Sequence, residues 1–250
     1  MKLIVNGDDF GLTMGVSKGI IDAMKNGIMT DTTAMANMPY FEESMKMAKE
    51  NGINEMGVHL NLTCGKPILS QIEVASLVTE DGNFYKKPNY MPKEIDMDEL
   101  EKELRAQISK FISTGMELNH IDGHHHFYIF NESVFRLVLS LAREFNVPVR
   151  CPSSEYMHIV KEFNIKSPDI MIGDFYEGNA NEDYLIKRLK ELNSVDVVEV
   201  MAHPAIIDEE LRNISSYLNY RTIELNALKS EAIKKIVKDN KIELIKFSQI

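Results

Sequence analysis

The feature that most constrains the fold of this sequence is its regular alternation of short apolar segments with amphipathic segments. Residues 3–5 are an apolar run, and residues 14–26 then repeat apolar side chains at the spacing of one helical face. The same patterns predict strands at residues 30–37, 57–63, 119–124, 147–150, 195–203 and 242–247, and helices at residues 41–50, 97–114, 132–145, 182–193 and 222–239.

This order favours parallel strands joined by crossover helices, either in a barrel or in an open doubly wound sheet. A (β/α) barrel usually takes about 250 residues, which is the length of this chain. We therefore predict the α/β class and an irregular single-domain (β/α) barrel with seven or eight parallel strands, formed by residues 1–250.

The amino-acid composition limits the kinds of molecule that the chain is expected to bind and where it is expected to be located. The formal net charge is −10 and the sequence pI is near 5.3, which argues against nucleic acid or an anionic membrane as the main partner. Cys64 and Cys151 lie far apart and form no CxxC pair, so the sequence predicts neither a disulfide framework nor a thiolate zinc site. Because we find neither a signal peptide nor an apolar run of about 20 residues, we expect a cytoplasmic location.

Histidines are concentrated in one short segment. Four of the seven lie in "HIDGHHH", residues 120–126. His120, Asp122 and His124 alternate, so in an extended chain they share one face, while His125 points away. Two imidazoles and a carboxylate on one surface are suitable ligands for a metal ion. A lone histidine is more often structural, and this is our interpretation of His158, which lies between Met157 and Ile159 in a further predicted helix.

The other candidate residues share one position, at or near the carboxyl ends of predicted strands. They are Asp8 and Asp9, His59, Arg150 and His203. In a parallel barrel these ends converge on one face, where active sites lie. Asp8 and Asp9 could simply form a turn after the first strand. At the end of a barrel strand they can instead point in different directions, one towards a metal ion and one towards substrate.

Four blocks in this order, "VNGDDFGLTMGVSKGI", "GVHLNLTCGKP", "HIDGHHH" and "MAHPA", resemble the YdjC-like carbohydrate deacetylases, the group that includes chitooligosaccharide deacetylase. The resemblance runs from residue 4 to beyond residue 230. It implies a distorted (β/α) barrel with a divalent metal ion, and removal of N-acetyl groups from acetylated mono- or oligosaccharides in oligosaccharide degradation. It also implies a possible homodimer.

The resemblance implies a metal site formed by Asp9, His59 and His124. It further implies Mg²⁺ as the usual ion, although two imidazoles and one carboxylate suit Zn²⁺, Fe²⁺ or Co²⁺ by ligand softness. Zn²⁺ or another transition metal therefore stays open.

The resemblance also implies the catalytic residues. Asp8 corresponds to the general base, Arg150 to the arginine that orients this base, and His203 to the general acid. The sequence departs from the family pattern at two places. Many relatives have Ala where Gly7 stands, and many continue the histidine cluster as HHHxH, where this chain has Tyr128.

Two other functions stay open. The same ligand set could serve a metal-dependent phosphoesterase, although such sites usually have extra cations for the phosphate, and only Arg150 lies near these motifs. The chain could instead be a non-catalytic metal-binding or sugar-binding barrel. That function would need neither the base nor the acid.

Residues 64–95 interrupt the alternation, with three prolines and no convincing helix. Loops of this length are usually functional or disordered. Phe84, Tyr85 and Tyr90 indicate an ordered lid or a surface that stacks against sugar rings, and the alternative is a tolerated surface excursion.

Overall fold

The computed structural model describes residues 1–250 apart from the side chain of Phe130. Its strands are β1 (Lys2–Phe10), β2 (Asp31–Ala34), β3 (Glu55–Leu60), β4 (Glu117–Gly123), β5 (Ile170–Ile172), β6 (Val197–Ala202) and β7 (Glu243–Leu244). Its helices are α1 (Met14–Asn26), α2 (Phe41–Glu50), α3 (Met97–Ser113), α4 (Glu132–Phe145), α5 (Met157–Glu162), α6 (Glu182–Glu191), α7 (Glu209–Ile214), α8 (Asn219–Lys229) and α9 (Glu231–Asp239).

All seven described strands belong to one parallel sheet with helices around it. The order is β4-β3-β2-β1-β6-β5, and β7 pairs with the first residues of β1. The predicted irregular (β/α) barrel with seven or eight parallel strands is confirmed, with seven. β1 is central, because β6 lies along one of its edges and β7 and β2 share the other.

Local sequence explains why α1 has the predicted bounds. The Thr13 side chain accepts a hydrogen bond from the Val16 amide at the start of the helix, and the Gly27 amide donates to the Ala23 carbonyl at its end. Val16 and Ile20 lie on the helical face that packs into the core, and both are fully buried.

Two of the predicted elements are wrong. The sequence predicts a strand at residues 147–150, but Val149 makes only an isolated bridge to Ile121. The predicted helix 222–239 is interrupted at Ser230, which has an extended backbone and caps α9 by accepting a hydrogen bond from the Ile233 amide. The two helices α8 and α9 replace it.

Residues 64–95 are ordered against α3. Glu103, fully buried on that helix, accepts hydrogen bonds from the Ile68 and Leu69 amides at 2.9 and 3.0 Å. The segment contains two 3₁₀ turns, Ala75–Leu77 and Pro88–Tyr90, and the second packs against the turn that follows β4. A lid function for this segment stays a prediction.

The predicted aromatic surface of this segment is only partly available. Phe84 is 3% exposed and belongs to the hydrophobic core, whereas Tyr90 is 62% exposed. Stacking against a ligand would therefore fall to Tyr90 and the half-buried Tyr85.

The carboxyl-terminal segment packs against the first residues of β1, β2 and β3, at the end of the sheet opposite the candidate site. The Phe247 ring stacks on His120, with ring centroids 3.7 Å apart, and its amide donates to Asp31 Oδ2 at 3.0 Å. Because Asp31 begins β2 and His120 lies within β4, Phe247 connects the last residues of the chain to two barrel strands. None of the described helices combines the length and the hydrophobicity that crossing a membrane requires.

We predict that Phe247→Ala lowers the free energy of unfolding by about 3–5 kcal/mol, because a fully buried ring leaves a cavity beside His120. Urea denaturation followed by circular dichroism measures this loss. Leu244→Ala is the control, since Leu244 is in the same segment but 38% exposed and should change stability much less. Equal effects of the two substitutions would contradict this account.

Candidate active site at the carboxyl ends of the strands

Adjacent carboxylates at the end of β1 are separated by an irregular backbone. The register of β1 against β2 shifts between Gly7 and Phe10, and Asp9 has φ of 71°, in the left-handed region. Gly11 follows with φ of 88°, which completes the turn. Such a conformation is unusual for a residue other than glycine and is concentrated at functional sites. Asp8 and Asp9 are both buried and have different partners.

Asp9, His59 and His124 form one cluster. Asp9 Oδ1 lies 3.0 Å from His124 Nδ1 and 3.5 Å from His59 Nε2, and the three potential ligand atoms lie within 4.8 Å of one another. Asp9 Oδ1 is buried, and no described group donates a hydrogen bond to it. A buried oxygen without a donor, facing two imidazole nitrogens, fits a divalent cation.

A neighbouring carboxylate orients His59. Asp122 Oδ1 lies 2.7 Å from His59 Nδ1, which leaves Nε2 to face Asp9. Carboxylates that orient histidines in this way are typical of metal sites. Burial alone would lower the pKa of His59, but the charge of Asp122 raises it to about 9, so the surroundings favour positive charge here.

Asp8, His59 and Asp122 also lie close enough together to be considered as a metal site. The Arg150 guanidinium already occupies this space, because Nη1 lies 2.7 Å from Asp8 Oδ2 and 2.8 Å from Asp122 Oδ2. The cluster of Asp9, His59 and His124 is therefore the better candidate.

Arg150 is the centre of a buried ion-pair network. It donates to both oxygens of Asp8 at 2.7 Å, and its Nε donates to Glu199 Oε1 at 2.7 Å. Burial alone would raise the pKa of Asp8, but Arg150 holds this pKa well below its usual range. Asp8 is consequently an ionised carboxylate in a fixed orientation.

The charge balance of the site depends on His59. Three buried aspartates, Asp8, Asp9 and Asp122, face two guanidinium groups, those of Arg150 and Arg221. Because uncompensated buried charge is unfavourable, the site needs one more positive charge, supplied either by a proton on His59, whose pKa is raised, or by a bound cation in its place.

His203 follows β6, and its ring lies near Asp8. Its Nε2 is 3.9 Å from Asp8 Oδ2. Burial lowers the pKa of His203 to about 4, although the charges of Asp8 and Asp9 act in the opposite direction. The ring is therefore neutral at pH 7. Its backbone amide donates to Glu224 Oε2, which fixes the start of the loop after β6.

Sequence reasoning missed the contribution of α8 and the residues before it. Arg221 Nη2 donates to Asp9 Oδ2 at 2.8 Å, and Glu224 accepts a hydrogen bond from the Tyr217 hydroxyl. Arg221 and Glu224 lie on the buried face of α8, and Tyr217 precedes the helix. The helix predicted from the sequence starts at residue 222, so it leaves out Tyr217 and Arg221.

The other histidines lie outside the cluster. His120 is deeper in the barrel, stacked on Phe247, and does not reach Asp9. His125 and His126 have left-handed backbones that end the extended chain after His124, and His125 Nδ1 lies 3.0 Å from Thr63 Oγ1. His158 is exposed on α5, away from these residues.

Tyr128, which stands where the resemblance implies histidine, is fully buried. Its hydroxyl donates to the Arg150 carbonyl at 2.9 Å, so it supports the ion-pair network rather than a ligand surface. At the other departure, a Cβ added to Gly7 would come within 2.9 Å of the sulfur and terminal methyl of Met29, a flexible side chain.

Fold and site together define a parallel α/β barrel protein with a candidate metal centre. Comparison with protein-family models matches residues 2–239 to the family described as YdjC-like protein. The chain belongs to the YdjC-like protein family, which confirms the resemblance seen in the sequence.

Curated relatives match over the full length of both chains. A protein of Brevibacillus brevis named carbohydrate deacetylase is 37% identical, and one of Clostridium beijerinckii with the same name is 38% identical, each with 100% of both chains covered.

Solved structures show the same fold. A protein of Enterococcus faecalis V583, whose name proposes cellobiose-phosphate cleavage, is 34% identical with a TM-score of 0.95, covering 99% of this chain and 98% of its own. A family 4 carbohydrate esterase of Streptomyces lividans has a TM-score of 0.54 at 11% identity, covering 97% and 91%, and supports the fold alone.

We predict that Arg150→Met lowers the free energy of unfolding by about 3–5 kcal/mol, because it leaves buried carboxylates without their partner. The control is Arg105→Met. Arg105 makes two hydrogen bonds of 2.8 Å to Glu144, but its side chain is 39% exposed. Exposed ion pairs contribute little to the free energy of unfolding, so urea denaturation should show a much smaller decrease for Arg105→Met. Similar losses in both variants would contradict the role assigned to burial.

Proposed function

We propose that this protein is a metal-dependent carbohydrate N-deacetylase that hydrolyses the acetamide of acetylated sugars such as chitooligosaccharides to acetate and a free sugar amine. The observation that carries the proposal is the division of the site into two parts. Asp9, His59 and His124 face one another as a candidate cation site, while Asp8 and His203 stand beside them. The names of the curated relatives support this substrate class.

Asp9, His59 and His124 would hold the cation. When bound, a divalent cation would activate a water molecule and polarise the acetyl carbonyl. The donor set suits Zn²⁺, Fe²⁺ or Co²⁺, and the family resemblance favours Mg²⁺. Arg221 holds Asp9 Oδ2, so only Oδ1 of this carboxylate is left for the ion.

Asp8 is the proposed general base, and Arg150 orients it. The two hydrogen bonds from Arg150 fix the carboxylate plane, so Asp8 meets a water molecule in one orientation. These bonds also make Asp8 a weak base that returns a captured proton readily. Arg150 is accordingly a positioning residue.

His203 is the proposed general acid. Because its ring is neutral at pH 7, it must receive a proton during the reaction. The Asp8 Oδ2 to His203 Nε2 distance of 3.9 Å is short enough for small movements to pass the proton from water through Asp8. His203 Nε2 would then protonate the departing amine nitrogen as the carbon–nitrogen bond breaks.

Two other functions are less well supported. A phosphoesterase would need free cationic groups for the phosphate, but Arg150 and Arg221 are both paired with buried aspartates. A non-catalytic metal-binding or sugar-binding barrel would need neither Asp8 nor His203 in its present position.

We predict acetate release from diacetylchitobiose, loss of that activity with a chelator, and its return when a divalent cation is added. An enzyme-coupled acetate assay with Mg²⁺, Zn²⁺ and Co²⁺ in parallel also ranks the metals. p-Nitrophenyl phosphate is the control substrate and should stay intact. Phosphate release without acetate release would favour the phosphoesterase, and neither activity with any metal would favour the binding barrel.

We predict that Asp8→Asn retains the metal and lowers kcat by about 10²–10⁴-fold, because it removes only the base. His124→Ala should lose metal and activity together. Elemental analysis of both purified variants, with kcat measured alongside, separates the two effects. Equal metal loss in both variants would show that Asp8 and Asp9 have the opposite roles.

A further inference from the structure

Three tyrosine rings form a stack beside the candidate active site. Tyr176 follows β5, and Tyr217 and Tyr220 lie around the start of α8. Tyr176 and Tyr217 are parallel, with ring centroids 4.1 Å apart, and Tyr217 and Tyr220 are 5.6 Å apart. The stack adjoins the proposed acid, because His203 lies 5.8 Å from the Tyr176 centroid and 5.9 Å from that of Tyr217.

The middle ring of the stack is fixed by polar contacts. The Tyr217 hydroxyl donates to Glu224 and accepts a hydrogen bond from the Glu177 amide at 3.1 Å. The Arg221 guanidinium lies 5.6 Å from the Tyr217 ring centroid and also donates to Asp9. The same residues therefore position the stack and one end of the candidate metal site.

Exposure is confined to the outer rings. Tyr217 is 8% exposed, whereas Tyr176 is 38% and Tyr220 is 40% exposed. A core contact would bury all three rings. Exposed aromatic surface next to a polar catalytic cluster is typical of ligand-binding sites, where apolar rings provide contact area and a few polar groups fix orientation.

We propose that Tyr176, the outer ring next to His203, forms a stacking platform for a pyranose ring, namely a sugar unit that neighbours the acetylated unit undergoing hydrolysis. The proposal rests on the proposed function. A pyranose presents an apolar C–H face that matches a flat aromatic ring, and its hydroxyls stay in water at the rim. Because Tyr176 contacts His203, the unit on this ring would be joined directly to the one whose amine His203 protonates.

If Tyr176 binds a second sugar unit, the affinity of the protein depends on the length of the oligosaccharide. A monosaccharide fills only the position at the metal site, whereas a disaccharide or trisaccharide also covers Tyr176. Calorimetric titration of the Asp8→Asn variant with N-acetylglucosamine, diacetylchitobiose and triacetylchitotriose measures this without turnover. Adding Tyr176→Ala should weaken trisaccharide binding by about tenfold and monosaccharide binding by a clearly smaller factor. Tyr176→Phe, which keeps the ring, should restore trisaccharide affinity.

Tyr90→Ala is the matched control, since Tyr90 is the most exposed tyrosine side chain of residues 64–95 that the structure describes. If Tyr90→Ala rather than Tyr176→Ala lowers trisaccharide affinity, the sugar stacks on Tyr90 and the proposal is wrong. Equal losses for monosaccharide and trisaccharide on Tyr176→Ala would also overturn the proposal, as would unchanged trisaccharide affinity.

Two further measurements separate the remaining outcomes. Light scattering of the Tyr176→Ala variant tests whether a second copy of the chain covers these rings, and a change in oligomer mass without a change in trisaccharide affinity would overturn the platform. Trisaccharide binding that depends on Tyr176, in a protein that releases no acetate, would support the platform and reject the deacetylase. Acetate release without any preference for longer chains would support the deacetylase and reject the platform.

Discussion

The buried guanidinium of Arg150 is the interaction on which the site depends. It joins the end of β1 through Asp8, the end of β4 through Asp122 and β6 through Glu199. Removing these charges from water is unfavourable, and mutual attraction offsets that cost only when every partner is in place. The network therefore contributes little to stability in total but strongly disfavours any arrangement in which these strand ends are apart.

The same constraint explains how one carboxylate can differ so much from its neighbour. Asp8 has both oxygens bound by one guanidinium, whereas Asp9 has Oδ2 bound by Arg221 and Oδ1 facing two imidazoles. Because of this difference, Asp8 accepts a proton and Asp9 binds a cation in the proposed reaction. The left-handed backbone at Asp9 makes the separation possible within two consecutive residues.

Much of this arrangement could be predicted from the sequence because it follows from strand ends. Asp8, Asp9, His59 and His203 each come at the end of a recognisable apolar segment, and parallel strands bring such ends together. Arg150 lies beside Asp8 although the strand predicted for residues 147–150 does not form, because Val149 still bridges to β4.

The residues that could not be predicted depend on tertiary contacts. Arg221 lies 212 residues from Asp9, and nothing near it in the sequence indicates a carboxylate partner. The break at Ser230 was missed because apolar spacing continues across it, although serine is a common helix cap.

The left-handed conformation of Asp9 has a consequence for evolution and engineering. Glycine, asparagine, aspartate and histidine adopt this backbone more readily than other residues, and of these only aspartate carries a carboxylate. Glutamate, the other acidic amino acid, would strain the turn, and its longer side chain would carry the charge away from the two imidazoles. Under the proposed chemistry, His59 and His124 can therefore be substituted more freely in a redesign of metal preference. Position 9 has to remain aspartate, because both its backbone conformation and its negative charge require that residue.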